Sequence, residues 1–370
     1  MTINVKVAGV WKTSTPYVKV AGVWKAVTTG SVKVASVWKE FYSSGPPPTI
    51  AVSVTYSSPS IYVYPWSAGF GTKYANPATL PGGGSHNVAF NTAAGTAIAV
   101  ATDGSPYVTA YPWSAGFGTK YANPATLPTG FSVNVAFSPA GTTIAVSQDS
   151  TPYINAYPWS AGFGTRYANP ATLPPGSSFG LAFNPASTAL AVGHNGSPWI
   201  SVYPWSAGFG TRYANPATLP PSAVNGVAFN PAGTAIATAH FTSPFITTYP
   251  WSAGYGTKYA NPATLPTGTG HSVTFNPAGT VIGFLGDSSP YINAYPWSAG
   301  FGTKYANPAT LPADGPAYSI AFSADGTTIA STPFAFGGGI DVYTWSAGFG
   351  TKYANPATSP PTGGGGVKFI

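Results

Sequence analysis

Short apolar runs punctuated by turn residues fill most of this chain. Val133–Phe137, Thr143–Ser147 and Tyr153–Trp159 each place hydrophobic, small or aromatic residues over about five to seven positions. Ser138-Pro139-Ala140-Gly141 separates the first two, and Ala161-Gly162-Phe163-Gly164 follows the third. Runs this short, rich in Val, Ile, Tyr and Phe and bounded by Pro, Gly and Ser, predict β-strands joined by tight turns. A fourth strand is expected at about residues 165–169. The chain carries 45 Gly and 39 Pro, which are poorly tolerated in helix interiors, so a mainly helical fold is excluded.

This four-strand unit recurs. The string W-S-A-G-[FY]-G-T-[KR]-Y-A-N-P-A-T occurs seven times, at Trp66, Trp113, Trp159, Trp205, Trp251, Trp297 and Trp345, with spacings of 46 to 48 residues. Periods in the forties with short strands are characteristic of propeller blades. The first unit opens at Thr49–Val54 without a preceding strand, while the C-terminal Gly366–Ile370 matches the V-A-F strand and has nothing after it. The two halves complete one blade. The pattern therefore predicts an all-β fold: a seven-bladed β-propeller over residues 45–370, closed by its C-terminal strand. Closure removes the open strand edges that invite aggregation.

Segments such as Ala321-Phe322-Ser323-Ala324-Asp325-Gly326-Thr327-Thr328-Ile329-Ala330, followed by Ile340-Asp341-Val342-Tyr343-Thr344-Trp345, resemble WD-repeat and related seven-bladed propellers. The Trp is followed by Ser rather than Asp, and no Gly-His pair recurs, so the hydrogen-bond network of that family is not carried over. The resemblance implies a non-enzymatic binding platform.

Residues 1–44 follow a different rule. Val5-Lys6-Val7-Ala8-Gly9-Val10-Trp11-Lys12 is repeated at Val18–Lys25 and, with Ser36 for Gly, at Val32–Lys39. Each copy predicts a strand, a tight turn and a strand. The segment holds six Lys and one Glu, and Gly45-Pro46-Pro47-Pro48 follows as a stiff spacer. Hairpins of this size bury too little surface to fold alone, so Trp11, Trp24 and Trp38 are expected to be covered by assembly. The V-K-V-x-G-V-W-K units resemble short repeats in structural proteins of tailed bacteriophages. That resemblance implies a virion location, homo-oligomers within a particle, and other virion proteins as partners of residues 1–44.

Composition narrows the chemistry further. Charged residues are 6% of the chain, Cys is absent, and there are four His and seven acids. Thiol chemistry and Cys-ligated metals are excluded. So few ionisable residues argue against an enzyme, and no cofactor or metal is expected. The formal charge of +7 is concentrated in residues 1–44, and no basic patch in the ring suggests nucleic acid. No apolar run is long enough to span a membrane, and the first residues lack a secretory signal pattern. Among the seven copies, variation falls in two sets of loops that an up-and-down blade places on one face. His86, Phe131, Phe179, His194, His240, Phe241, His271, Tyr318, Phe334 and Phe336 mark this candidate ligand- or partner-binding face. The seven Trp read as joints between blades, and the repeated Lys/Arg positions as protection of the outer edge. The expected function is a non-enzymatic phage virion structural protein, of tail-fibre or appendage type, that binds a host-surface glycan or protein. A capsid-decorating or joint protein and a free bacterial lectin are the alternatives.

Overall fold

The computed structural model describes the strands within residues 3–43 by their backbone. From Pro48 to Ile370 it describes every residue except 94, 313–316, 334–338 and 362, with the side chain of residue 317 also left out. The chain divides into two compact units, Met1–Pro47 and Pro48–Ile370. In the first, Ile3–Val7 pairs with Val10–Ser14, Tyr17–Val20 with Val23–Ala26, and Thr29–Val34 with Val37–Ser43, all antiparallel. Each hairpin sets a Lys opposite a Trp: Lys6 and Trp11, Lys19 and Trp24, Lys33 and Trp38. The side chains of the three Trp lie outside the described residues.

The second unit is a seven-bladed β-propeller. Among the described residues it has no helix and seven small antiparallel sheets. Blade 2 shows the plan. Its inner strand Ser85–Phe90 pairs with a middle strand Ala97–Thr102, which pairs with a third strand Val108–Pro112. The inner strands of the next five blades are Ser132–Phe137, Ser178–Phe183, Val224–Phe229, Gly270–Phe275 and Ala317–Phe322. Blade 1 is assembled from both ends of the unit. Gly364–Phe369 is its inner strand, paired with Thr49–Val54 so that Phe369 lies opposite Ile50 and Val367 opposite Val52. Reciprocal backbone hydrogen bonds between Thr49 and Ile370, both 3.0 Å, finish the ladder.

The fourth strand expected at residues 165–169 does not form in blades 1 to 6. There the chain makes one bridge, such as Trp159 to Phe163, and then scattered bonds: Gly164 N–H donates to Pro158 O at 2.8 Å, and Tyr167 N–H to Ala156 O at 2.9 Å. The proline before each Trp faces this segment with its carbonyl and has no N–H to offer on the same side. In blade 7 Thr344 replaces that proline, and Phe349–Lys352 becomes a true fourth strand beside Asp341–Trp345.

Blades are joined by their Trp. Trp159 meets Tyr121 of the preceding repeat at 5.2 Å, and Phe137 and Phe163 of its own at 5.0 and 5.2 Å, all edge-to-face. Such aromatic pairs add about 0.5–1.5 kcal/mol each to the burial of the rings. Beside six of the seven Trp a buried Tyr reaches back to the previous blade, Tyr157 donating its hydroxyl to Thr126 O at 2.9 Å and Tyr203 to Thr172 O at 2.8 Å, whereas the Tyr343 hydroxyl of blade 7 is buried without a partner. The same pair of contacts closes the circle, because Trp66 packs on Tyr353 at 5.1 Å and Tyr64 donates to Thr358 O at 2.6 Å. The repeated basic residues serve their own turns and edges: Lys73, Lys258 and Lys304 each donate to the Asn three residues on, and Lys352 pairs with Asp341.

Two outcomes follow for stability. Trp205→Ala is expected to cost about 3–5 kcal/mol in urea denaturation, as for other large aromatic residues removed from a core. Removal of residues 364–370 is expected to lower the melting temperature far more than removal of seven residues from the first unit, as read by circular dichroism.

Candidate functional site

The seven inner strands surround a central channel that opens into a cavity of about 670 Å³. Because every blade repeats the same plan, the second residue of each inner strand arrives at the same level. These residues are His86, Val133, Phe179, Asn225, His271, Tyr318 and Gly365, and all seven line the cavity. Phe131 and Phe241 line it as well. The structure thus brings six of the residues singled out by sequence to one place: His86, Phe131, Phe179, Phe241, His271 and Tyr318. Phe334 and Phe336 lie outside the described residues.

His194 and His240 do not belong to this face. Each ends a middle strand and is fully buried. His194 Nδ1 donates to Gly196 O at 2.7 Å, leaving Nε2 to accept from Ser201 Oγ at 3.0 Å. His240 does the same with Thr242 O at 2.8 Å and Thr247 Oγ1 at 2.9 Å. The equivalent residues Thr102 and Gln148 also donate to the carbonyl two residues on, at 2.9 and 2.8 Å. This position anchors the loop after the middle strand, and His is one of several side chains that can do so. Variation between copies was therefore mistaken for exposure.

The two channel histidines have different surroundings. His86 is half-buried and stacks at a tilt on Phe131, with ring centroids 4.2 Å apart. Its Nε2 lies 3.8 Å from Asp103 Oδ2, within ion-pair range but too far for a hydrogen bond. Asp103 in turn accepts from Gly84 N–H at 2.8 Å, which fixes the linker leading into the His86 strand. His271 stands against Tyr318 with centroids 5.5 Å apart, and Asp287 accepts from Thr269 N–H at 2.8 Å in the same manner. Burial lowers the pKa of both histidines; the opposing pull of Asp103 on His86 and of Asp287 on His271 is smaller. Both are neutral near pH 7 and able to accept a proton.

Lys368 also lines the cavity. It occupies the fifth position of its inner strand, where the other six blades carry Ala89, Ala136, Ala182, Ala228, Thr274 and Ala321. Aligning those positions across the copies was the available signal. The Lys/Arg repeat of the outer segments obscured it. Among the described residues, no group of three or more His, Cys, Asp or Glu is placed to hold a metal ion.

No protein-family profile matches the chain, and no curated protein matches it by sequence. Solved structures do match. A candidate 6-phosphogluconolactonase from Bacteroides fragilis superposes with a TM-score of 0.69 at 12% identity, covering 89% of this chain and 99% of its own. Another from Bacteroides uniformis gives 0.66 at 13%, covering 87% and 99%. The periplasmic gluconolactonase of Pseudomonas aeruginosa gives 0.63 at 13%, again covering 87% and 99%. At these identities the likeness establishes the shared propeller fold.

These neighbours correct two expectations. The ring was expected to belong to a non-enzymatic phage virion protein, yet the structures that share it are named for bacterial lactonases, and none of these three bears a phage or WD-repeat name. The exclusion of an enzyme falls with it. That exclusion counted ionisable residues along the chain, whereas the channel collects His86, His271 and Lys368 from strands far apart in sequence.

The buried histidines make a pH-dependent contribution to stability. Desolvation lowers His194 and His240 to about 4, against about 6.5 in an unfolded chain. Their neutral forms therefore stabilise the fold fully above pH 6.5, and that stability is lost as the pH falls from 6.5 toward 4. Each is expected to account for on the order of 3 kcal/mol at most. Urea denaturation at stepped pH should show the decline, and His194→Gln with His240→Gln should flatten it.

Proposed function

We propose that this ring is a hydrolase of sugar-acid lactones, working at the histidine end of its central channel. The observation that carries the reading is His86 beside Asp103 at the wall of a cavity sized for a small molecule. The names of the structural neighbours support the same substrate class. Aromatic rings of Phe131, Phe179 and Tyr318 provide flat apolar surface for a sugar ring, while the Asn87 and Asn134 amides provide polar contacts.

The roles follow from the surroundings of His86. Its Nε2 is buried 3.8 Å from Asp103 Oδ2 with no hydrogen-bond partner, so Nδ1 is assigned as the proton acceptor. Water adds to the lactone carbonyl as Nδ1 takes its proton. The ring C–O bond then breaks, and the departing oxygen receives that proton back from the imidazolium. Asp103 stabilises the imidazolium between the two steps.

Alkali uptake at constant pH, with glucono-1,5-lactone as substrate, tests the reading. Hydrolysis well above the spontaneous rate is expected, with kcat/KM reduced about 100-fold in His86→Ala. Because the lowered pKa keeps His86 neutral, kcat/KM should hold through pH 6.5 and fall only at lower pH. Hydrolysis no faster than in buffer would overturn it.

A further inference from the structure

The cation in the channel has no counterpart elsewhere in the ring. Lys368 stands where five blades have Ala and one has Thr, so nothing in the blade plan calls for it. Its backbone is closely held. It lies opposite Ala51 in the closing strand, and a Cβ on the neighbouring Gly366 would come within 2.9 Å of Asn87 Cα and Val88 N of blade 2. The run of glycines lets this strand press against the next one and fixes where the lysine enters the bore.

The charge is also unanswered. Among the described residues lining the cavity there is no Asp or Glu, and Lys368 is the one Lys or Arg. Its side chain is accessible from the bore, makes no hydrogen bond or ion pair, and sits where desolvation lowers its pKa. Side chains repeat their direction every second residue along a strand, so Lys368 shares its face with the third position of the inner strands. There Asn87 and Asn134 line the cavity on the next two blades, and the amide of Asn87 has an oxygen buried without a hydrogen-bond partner. One ammonium and two amides are the donor set that an oxyanion requires.

We propose that Lys368, with Asn87 and Asn134, forms an anion-recognition site in the channel, so that the molecule the ring accepts carries a phosphate or carboxylate group. The site extends the lactonase reading by defining the substrate class as anionic. Lys368 is three residues further along its strand than Gly365, the position level with His86, across an irregular stretch that spans at most about 10 Å at 3.3 Å per residue. One small sugar acid can reach from the histidine to the lysine, its anionic group at one end and its reacting carbonyl at the other.

Calorimetric titration of the full chain with inorganic phosphate, and separately with acetate, tests the site without any lactone, so it succeeds or fails apart from hydrolysis. Wild type is expected to bind at least one of the two anions, and which one distinguishes phosphate from carboxylate. Lys368→Ala should weaken that binding by about tenfold or more, the worth of one charge-assisted hydrogen bond. Alanine is the residue of five equivalent positions, so this variant is expected to keep the fold, which circular dichroism checks. Lys368→Arg should retain the binding, and the bound anion should raise the melting temperature of wild type and of Lys368→Arg but not of Lys368→Ala. No binding of either anion by wild type, or equal binding by Lys368→Ala, would overturn the proposal.

Discussion

Each blade of this ring has an apolar face that only the next blade can cover. Three strands of five or six residues are too small to bury a Trp, a Tyr and a Phe by themselves. The joint therefore does the work that a hydrophobic core does in other folds. Every core cluster draws on two adjacent blades: Ala97, Ala99 and Ala101 of blade 2 lie with Val146, Tyr157 and Trp159 of blade 3. The alternation is small against large, Ala on one blade and aromatic on the next, which allows close approach without voids. Because each joint is the same, the angle between blades is the same, and the sum of these angles closes a circle.

The same constraint explains where variation is allowed. The outer segments that supply the Tyr and Phe of each joint are almost identical in all seven copies. The inner strands touch their neighbours through the fourth and sixth residues, such as Val88 and Phe90, while the second residue differs from blade to blade and lines the bore in all seven. In blade 1 alone the small fifth residue is replaced by a lysine. A repeated scaffold thereby becomes an asymmetric site, with histidines on blades 2 and 6, aromatics on blades 4 and 7, and a lysine on blade 1.

Much of this was legible in the sequence. The spacing of the seven Trp, and the split of one blade between Thr49–Val54 and Gly366–Ile370, defined the ring and its closure. The outer strand was misjudged because strand propensity at residues 165–169 says nothing about a missing N–H on the neighbour that must pair with it. Proline and threonine at one position, Pro296 and Thr344, separate a loose edge from a fourth strand. His86 and His271 could be grouped by comparing copies, but so could His194 and His240, which the backbone turns inward. Only the pairing register separates these two classes. Lys368 needed the opposite comparison, that of one residue against six small ones in a strand treated as purely structural.

Blade 1 binds together residues made at very different times. Gly366 N–H donates to Ser53 Oγ at 2.6 Å across a separation of 313 residues. A ribosome adding roughly 5–20 residues per second needs about 15–60 s to cover that distance. Throughout that interval the strand Thr49–Val54 has emerged without its inner partner, and its apolar edge is open to any other strand in reach. The hazard in making this protein is thus concentrated in its first blade, and its lifetime is set by translation speed rather than by the stability of the finished ring.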